Sequence, residues 1–96
     1  MPAQVTLYTT AWCPFCHKAK RLLHEKKAKF TEIDVDDRPD LRSFLWSVSG
    51  QRTVPQVFIN GESIGGYTEL AALDRRGNLD RLLAAPPPAD LPALPT

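Results

Sequence analysis

Ninety-six residues suffice for one compact domain that buries a core without disulfide staples, and 43% hydrophobic with 24% charged residues is the balance of an ordinary globule. Twelve basic against eleven acidic side chains leave a formal charge of +1, which argues against a nucleic-acid surface. No apolar stretch reaches membrane-spanning length, and Met1-Pro2-Ala3-Gln4-Val5 lacks the basic start and apolar run of a secretory leader, so a cytoplasmic protein is expected.

The first segment, Gln4 to Tyr8, alternates polar and apolar residues with Val5 and Leu7 on one side, and is expected to be a strand. From Pro14 to about Lys27 the pattern is helical. Cys16, Ala19 and Leu23, with Leu22 beside them, form the buried stripe, while Lys18, Lys20, Arg21, Lys26 and Lys27 form a solvated face. Phe30 to Val35 alternates again, giving a βαβ unit. Asp37 or Asp40 can cap a second helix whose Leu41, Phe44, Leu45 and Val48 share a face; Ser49-Gly50 ends it, and Trp46 lies off that stripe.

Val57 to Ile59 is a third strand, and Asn60-Gly61 is a tight-turn signal leading to a short antiparallel fourth strand around Ser63-Ile64. Gly65-Gly66 breaks that strand before Thr68, an N-cap for a helix containing Leu70 and Leu73. After Gly77-Asn78, Leu79, Leu82 and Leu83 make a last helical turn or two. The expectation is one α/β domain over residues 1–85. Residues 86–96 carry five of the nine prolines and are expected to be a disordered tail that buries little.

The only two cysteines stand in Cys13-Pro14-Phe15-Cys16. A vicinal pair in a reducing compartment points to catalysis, redox sensing or metal binding rather than to a permanent bridge. A structural zinc needs four ligands, and only His17 and His24 are available besides the pair, so redox chemistry is the better reading and no metal is expected. Pro14 suits the first helical turn, which puts Cys13 at the helix N-terminus, where unpaired N–H groups favour a thiolate. Cys16 lies one turn deeper, so Cys13 attacks and Cys16 resolves the mixed disulfide.

Two further segments support this. Thr53-Val54-Pro55 precedes the third strand, and a cis Val54-Pro55 bond there would present the Val54 backbone as an edge for an extended peptide. In Gly65-Gly66-Tyr67-Thr68-Glu69 the glycines permit close approach, the helix start offers N–H groups to a carboxylate, and Glu69 can receive an ammonium.

With Cys13-Pro14-Phe15-Cys16-His17, Arg52-Thr53-Val54-Pro55-Gln56-Val57-Phe58-Ile59 and Ile64-Gly65-Gly66 in this order and spacing, the chain resembles the glutaredoxin family, in its dithiol bacterial form, over roughly Gln4 to Ala85. The resemblance implies a thioredoxin fold with a four-stranded mixed sheet, and reduction of glutathionylated proteins and protein disulfides by a monomer. Glutathione would be the co-substrate, recycled by glutathione reductase. The resemblance also implies glutathione contacts at Cys13, Thr53, Val54, Pro55, Gly66, Tyr67, Thr68 and Glu69. The chain departs from the family in Phe15 for the usual Tyr, Thr10 for a frequent Lys, Trp12 for a small or hydroxyl residue, and Thr68-Glu69 for two acids. Arg52 is expected to substitute in part for the cation missing at Thr10, reaching the glycyl carboxylate. The rival readings are an iron–sulfur carrier, and a mycoredoxin or thioredoxin-like reductase served by another thiol or reductase.

Overall fold

A computed structural model describes residues 2–96. Val5–Thr9 forms β1, and Phe30–Asp34 (β2) runs parallel to it, with Val5 opposite Phe30 and Tyr8 opposite Ile33. Pro14–Glu25 (α1) supplies the crossover that a parallel pair requires. Gln56–Ile59 (β3) pairs antiparallel with the other edge of β1, and Glu62–Gly65 (β4) pairs antiparallel with β3, giving the order β2-β1-β3-β4. Pro39–Ser49 (α2), Tyr67–Arg75 (α3) and Leu79–Ala84 (α4) complete the chain order. This four-stranded mixed sheet flanked by helices is a thioredoxin fold.

Because β1 is central, both of its faces are covered, and the one-sided burial expected from its alternation does not hold. Val5 and Leu7 join Ala19, Leu23, Val57, Ile59, Leu70, Leu79 and Leu83 in an aliphatic core against α1, α3 and α4. Tyr8 points the other way and is fully buried, edge-on to Phe58 at 5.5 Å and beside Phe44 at 6.1 Å, in a cluster with Val35, Leu41 and Leu45 of the α2 side. Leu41 and Leu45 are buried as the helical stripe requires, but Val48, at its far end, is 46% exposed. Neither Asp37 nor Asp40 caps α2: the N-cap is Arg38, with Pro39 in the first turn and the Arg38 guanidinium paired to Asp40 at 2.9 Å. Gly50 ends the helix at φ 70°, a left-handed position natural to glycine.

The β3–β4 turn has positive φ at both central residues, Asn60 and Gly61, as a tight hairpin demands. Asn60 also joins distant segments. Its Oδ1 accepts from Gln4 N at 2.8 Å, its own N–H donates to the Gln4 carbonyl at 2.8 Å, and its Nδ2 donates to the Ala85 carbonyl at 3.1 Å. Beside it, Ala3 N donates to the Leu83 carbonyl at 2.9 Å.

Residues 86–96 form neither helix nor strand, yet they lie on the domain rather than apart from it. Leu94 packs on the Tyr8 cluster, the Tyr8 hydroxyl donates to the Pro95 carbonyl at 2.6 Å, and an Arg38 N–H donates to the Thr96 carbonyl at 3.2 Å. Leu91 sits so close to Gly61 that a Cβ there would stand 2.7 Å from it. The physical reason is a buried phenol that needs an acceptor, on a sheet face covered by one helix only.

Candidate active site

Cys13 is the N-cap of α1, in extended conformation, with Pro14 opening the helix. The free amide of the first turn is thereby aimed at sulfur: Cys16 N donates to Cys13 Sγ at 3.1 Å. On its other side the Cys13 thiol points at the Val54 carbonyl, 3.6 Å away. Both cysteines are free thiols, and they differ in depth, Cys13 being 8% exposed and Cys16 1%. Burial pushes the Cys16 thiol up to about 12, the hydrogen bond to Cys13 acts in the same direction, and the Thr10 backbone and the Lys20 charge pull it partly back.

The Val54-Pro55 peptide bond is cis. The loop before it is held by the buried Gln56 side chain, whose Nε2 donates to the Thr53 carbonyl at 2.9 Å and to Gln51 Oε1 at 3.0 Å, leaving Gln56 Oε1 without a partner among the described residues. Facing this loop, β4 turns into α3 through two glycines. Gly65 has φ 111°, and a Cβ on it would lie 2.5 Å from Glu69 Oε1; one on Gly66 would lie 3.2 Å from the Pro55 carbonyl. The helix begins earlier than the Thr68 cap anticipated. Gly66 is the N-cap, and Glu69 Oε1 accepts its N–H at 2.6 Å, so the carboxylate closes the helix end.

These elements enclose an open cleft beside Cys13, lined by Phe15, Gln51, Thr53, Val54, Pro55, Gly66, Tyr67, Thr68 and Glu69. Of the anticipated contact residues, Thr53, Val54, Pro55, Gly66, Tyr67, Thr68 and Glu69 line it; Cys13 stands behind Val54, 3.6 Å from its carbonyl, and Arg52 does not reach it. The Arg52 guanidinium lies 4.7 Å from the centre of the Trp46 ring and borders a separate depression with Pro39, Arg42 and Ser43. Gln51 and Thr53 face the cleft, while Arg52 between them turns away to stack on Trp46. Gln51 was missed by sequence reasoning; its place follows from the Gln56 side chain, which holds it, and no local pattern marks it. The rim is aromatic: Trp12 is 95% exposed, Phe15 is 54% exposed, and the Phe15 and Tyr67 rings stand 6.3 Å apart with Lys18 Nζ over both, at 5.2 and 5.9 Å. No group of three or more His, Cys, Asp or Glu side chains is placed to hold a metal among the described residues, and no described helix is long and apolar enough to cross a membrane.

The glutaredoxin family model matches residues 5–64. A glutaredoxin of Pseudomonas aeruginosa is 49% identical over 81 residues, covering 84% of this chain and 96% of that protein. Glutaredoxin 3 of Escherichia coli is 47% identical over 81 residues, 84% of this chain and 98% of its own length. Among solved structures, the solution structure of glutaredoxin from Brucella melitensis superposes with a TM-score of 0.79 at 43% identity, over 86% of this chain and 90% of that one. A buckwheat glutaredoxin–glutathione complex does so with a TM-score of 0.79 at 31% identity, over 84% and 76%.

Proposed function

The chain belongs to the glutaredoxin family of thiol–disulfide oxidoreductases, and from that premise we propose that it reduces glutathionylated proteins and protein disulfides with glutathione as its co-substrate. The observation that carries this reading is the Cys13 sulfur, held between the Cys16 amide and the Val54 carbonyl at the mouth of a cleft able to take a short peptide. The complex of the buckwheat relative supports glutathione as that peptide.

In this reading Cys13 is the nucleophile. Its thiolate attacks the glutathionyl sulfur of a mixed disulfide, the substrate's thiolate leaves, and a Cys13–glutathione disulfide remains. The Val54 backbone pairs with the cysteinyl part of the tripeptide, while the start of α3 and Thr68 receive its γ-glutamyl carboxylate. Glu69 faces the γ-glutamyl ammonium with the oxygen it does not use for the cap. A second glutathione thiolate then attacks the bound glutathionyl sulfur, releasing oxidised glutathione and the Cys13 thiolate; glutathione reductase returns the product to the thiol pool. With a protein disulfide, the intermediate joins Cys13 to the substrate and Cys16 resolves it. Burial and the hydrogen bond to Cys13 raise the Cys16 thiol above its ordinary value, which leaves the attack on incoming disulfides to the less buried Cys13. This chemistry belongs in a reducing compartment such as the cytoplasm, and a monomer suffices for it.

The test is NADPH oxidation coupled through glutathione reductase, with a small glutathionylated disulfide as substrate, on two variants. Cys13→Ser loses turnover to background. Cys16→Ser keeps or raises it, because the diversion into a Cys13–Cys16 disulfide is removed, while its reduction of an internal protein disulfide falls. Equal loss in both folded variants would overturn the glutathione-linked mechanism in favour of a thioredoxin-like one.

A further inference from the structure

The cleft beside Cys13 has one charged lining residue, Glu69, and it is acidic. The tripeptide proposed to occupy it brings two carboxylates and one ammonium, so with Glu69 the filled cleft holds an excess of negative charge that a nearby cation would offset. Position 10 is threonine, and Arg52 is stacked on Trp46 outside the cleft.

Lys20 is bound to Glu32 at 3.0 Å, and Lys26 to Asp74 at 2.6 Å and Asp80 at 3.1 Å. Lys18 differs. No carboxylate lies within salt-bridge distance of it among the described residues, and its ammonium rests over the rings of Phe15 and Tyr67, both cleft residues, at 5.2 and 5.9 Å from their centres. Tyr67 is the first residue of α3, next to the N–H groups that point at an incoming anion. An ammonium over aromatic faces at an open rim is weakly held, and its four-carbon stem lets it swing toward a carboxylate.

We propose that Lys18 is a specificity-determining residue for the glutathionyl group, held on the Phe15–Tyr67 ledge and pairing with the γ-glutamyl α-carboxylate when the tripeptide enters. The assignment rests on the glutathione reading above. It places a recognition residue on the face of α1 that the charge pattern marks as solvated.

The same coupled assay tests it with wild type, Lys18→Met and Lys18→Arg, using two substrates: the glutathionylated disulfide, and its analogue with that α-carboxylate converted to an amide. Lys18→Met should raise KM by about two- to fivefold, the range of an exposed charge pair, with kcat little changed and the difference shrinking in high salt. Lys18→Arg should restore most of the loss. With the amide analogue, wild type and Lys18→Met should have equal KM. Equal KM on the natural substrate, or a gap that persists with the amide, overturns the assignment and leaves Lys18 as ring packing only. A wild type without glutathione-linked turnover overturns the underlying function and the assignment with it, an outcome distinct from a functioning enzyme indifferent to Lys18.

Discussion

On one face of the sheet, α1, α3 and α4 meet over a core made of Val, Leu, Ile and Ala; on the other, α2 lays Leu41, Phe44 and Leu45 over Tyr8 and Phe58, and Leu94 and Pro95 finish the cover. Helices with an aliphatic stripe bury a surface continuously and leave no polar atom to satisfy. The aromatic face buries larger rings but includes a hydroxyl that must donate, and the acceptor comes from the Pro95 carbonyl. One face is therefore closed by side-chain periodicity, the other by a segment with no periodicity at all.

The largest expected effect lies on the helical face. Leu23→Ala removes a fully buried side chain from the aliphatic core and should cost about 2–5 kcal/mol, read from urea midpoints. If the comparison holds, deletion of residues 86–96 ranks next. It removes the Leu94 packing and the acceptor for Tyr8, about 2–3 kcal/mol together, and at roughly 4–8 °C per kcal/mol the melting temperature should fall visibly. An unchanged melting temperature would break the comparison by showing that α2 suffices.

Tyr8→Phe isolates the hydroxyl and should cost about 1 kcal/mol near neutral pH. Burial raises the Tyr8 phenol above its ordinary value, so the folded state holds this proton more tightly than the unfolded one. Its contribution is complete below about pH 10 and is lost as pH rises through the folded value. The stability gap between wild type and Tyr8→Phe should therefore narrow in urea titrations run from pH 8 to 11. The smallest effect belongs to Lys26→Met. Its ion pairs to Asp74 and Asp80 tie the end of α1 to α3 and α4 at an exposed site, so a slight shift in melting temperature, erased by high salt, is expected.

The same contrast explains what could be read in advance. The stripe of Cys16, Ala19 and Leu23 is buried as spacing demanded, and the Asn60-Gly61 turn and the antiparallel β3–β4 pair stand where local chemistry placed them. Val48 completes the α2 stripe but is half exposed, because periodicity marks a helix face and not the extent of the surface opposing it. Thr68 looked like a cap from its hydroxyl. The helix starts at Tyr67 because Glu69 can reach back to the Gly66 amide, a relation between side chain and backbone that composition does not announce. In the site, residues Thr53 to Pro55 and Gly66 to Glu69 converge on the cleft, whereas the direction of Arg52 is set by a tertiary contact, the Trp46 ring of α2, that local sequence does not announce. The packing of Leu91 and Leu94 was the least legible, since proline spacing excludes helix and strand without excluding contact.

Asn60, described above as a turn residue, also decides where the domain's ends are. By holding the Gln4 backbone and the Ala85 carbonyl from one side chain, with Ala3 bonded to Leu83 alongside, it brings the start and the finish of the folded unit side by side. A polypeptide arranged this way can be rewired. A short linker joining residue 85 to residue 3, with new termini opened in an exposed loop away from Cys13, leaves every strand pairing in place and gives up only the cover that Leu94 and Pro95 lay over Tyr8. By the same geometry residues 3–85 can be inserted into a surface loop of a host protein, whose two ends need only reach Ala3 and Ala85, neighbours through the Ala3–Leu83 and Asn60–Ala85 hydrogen bonds.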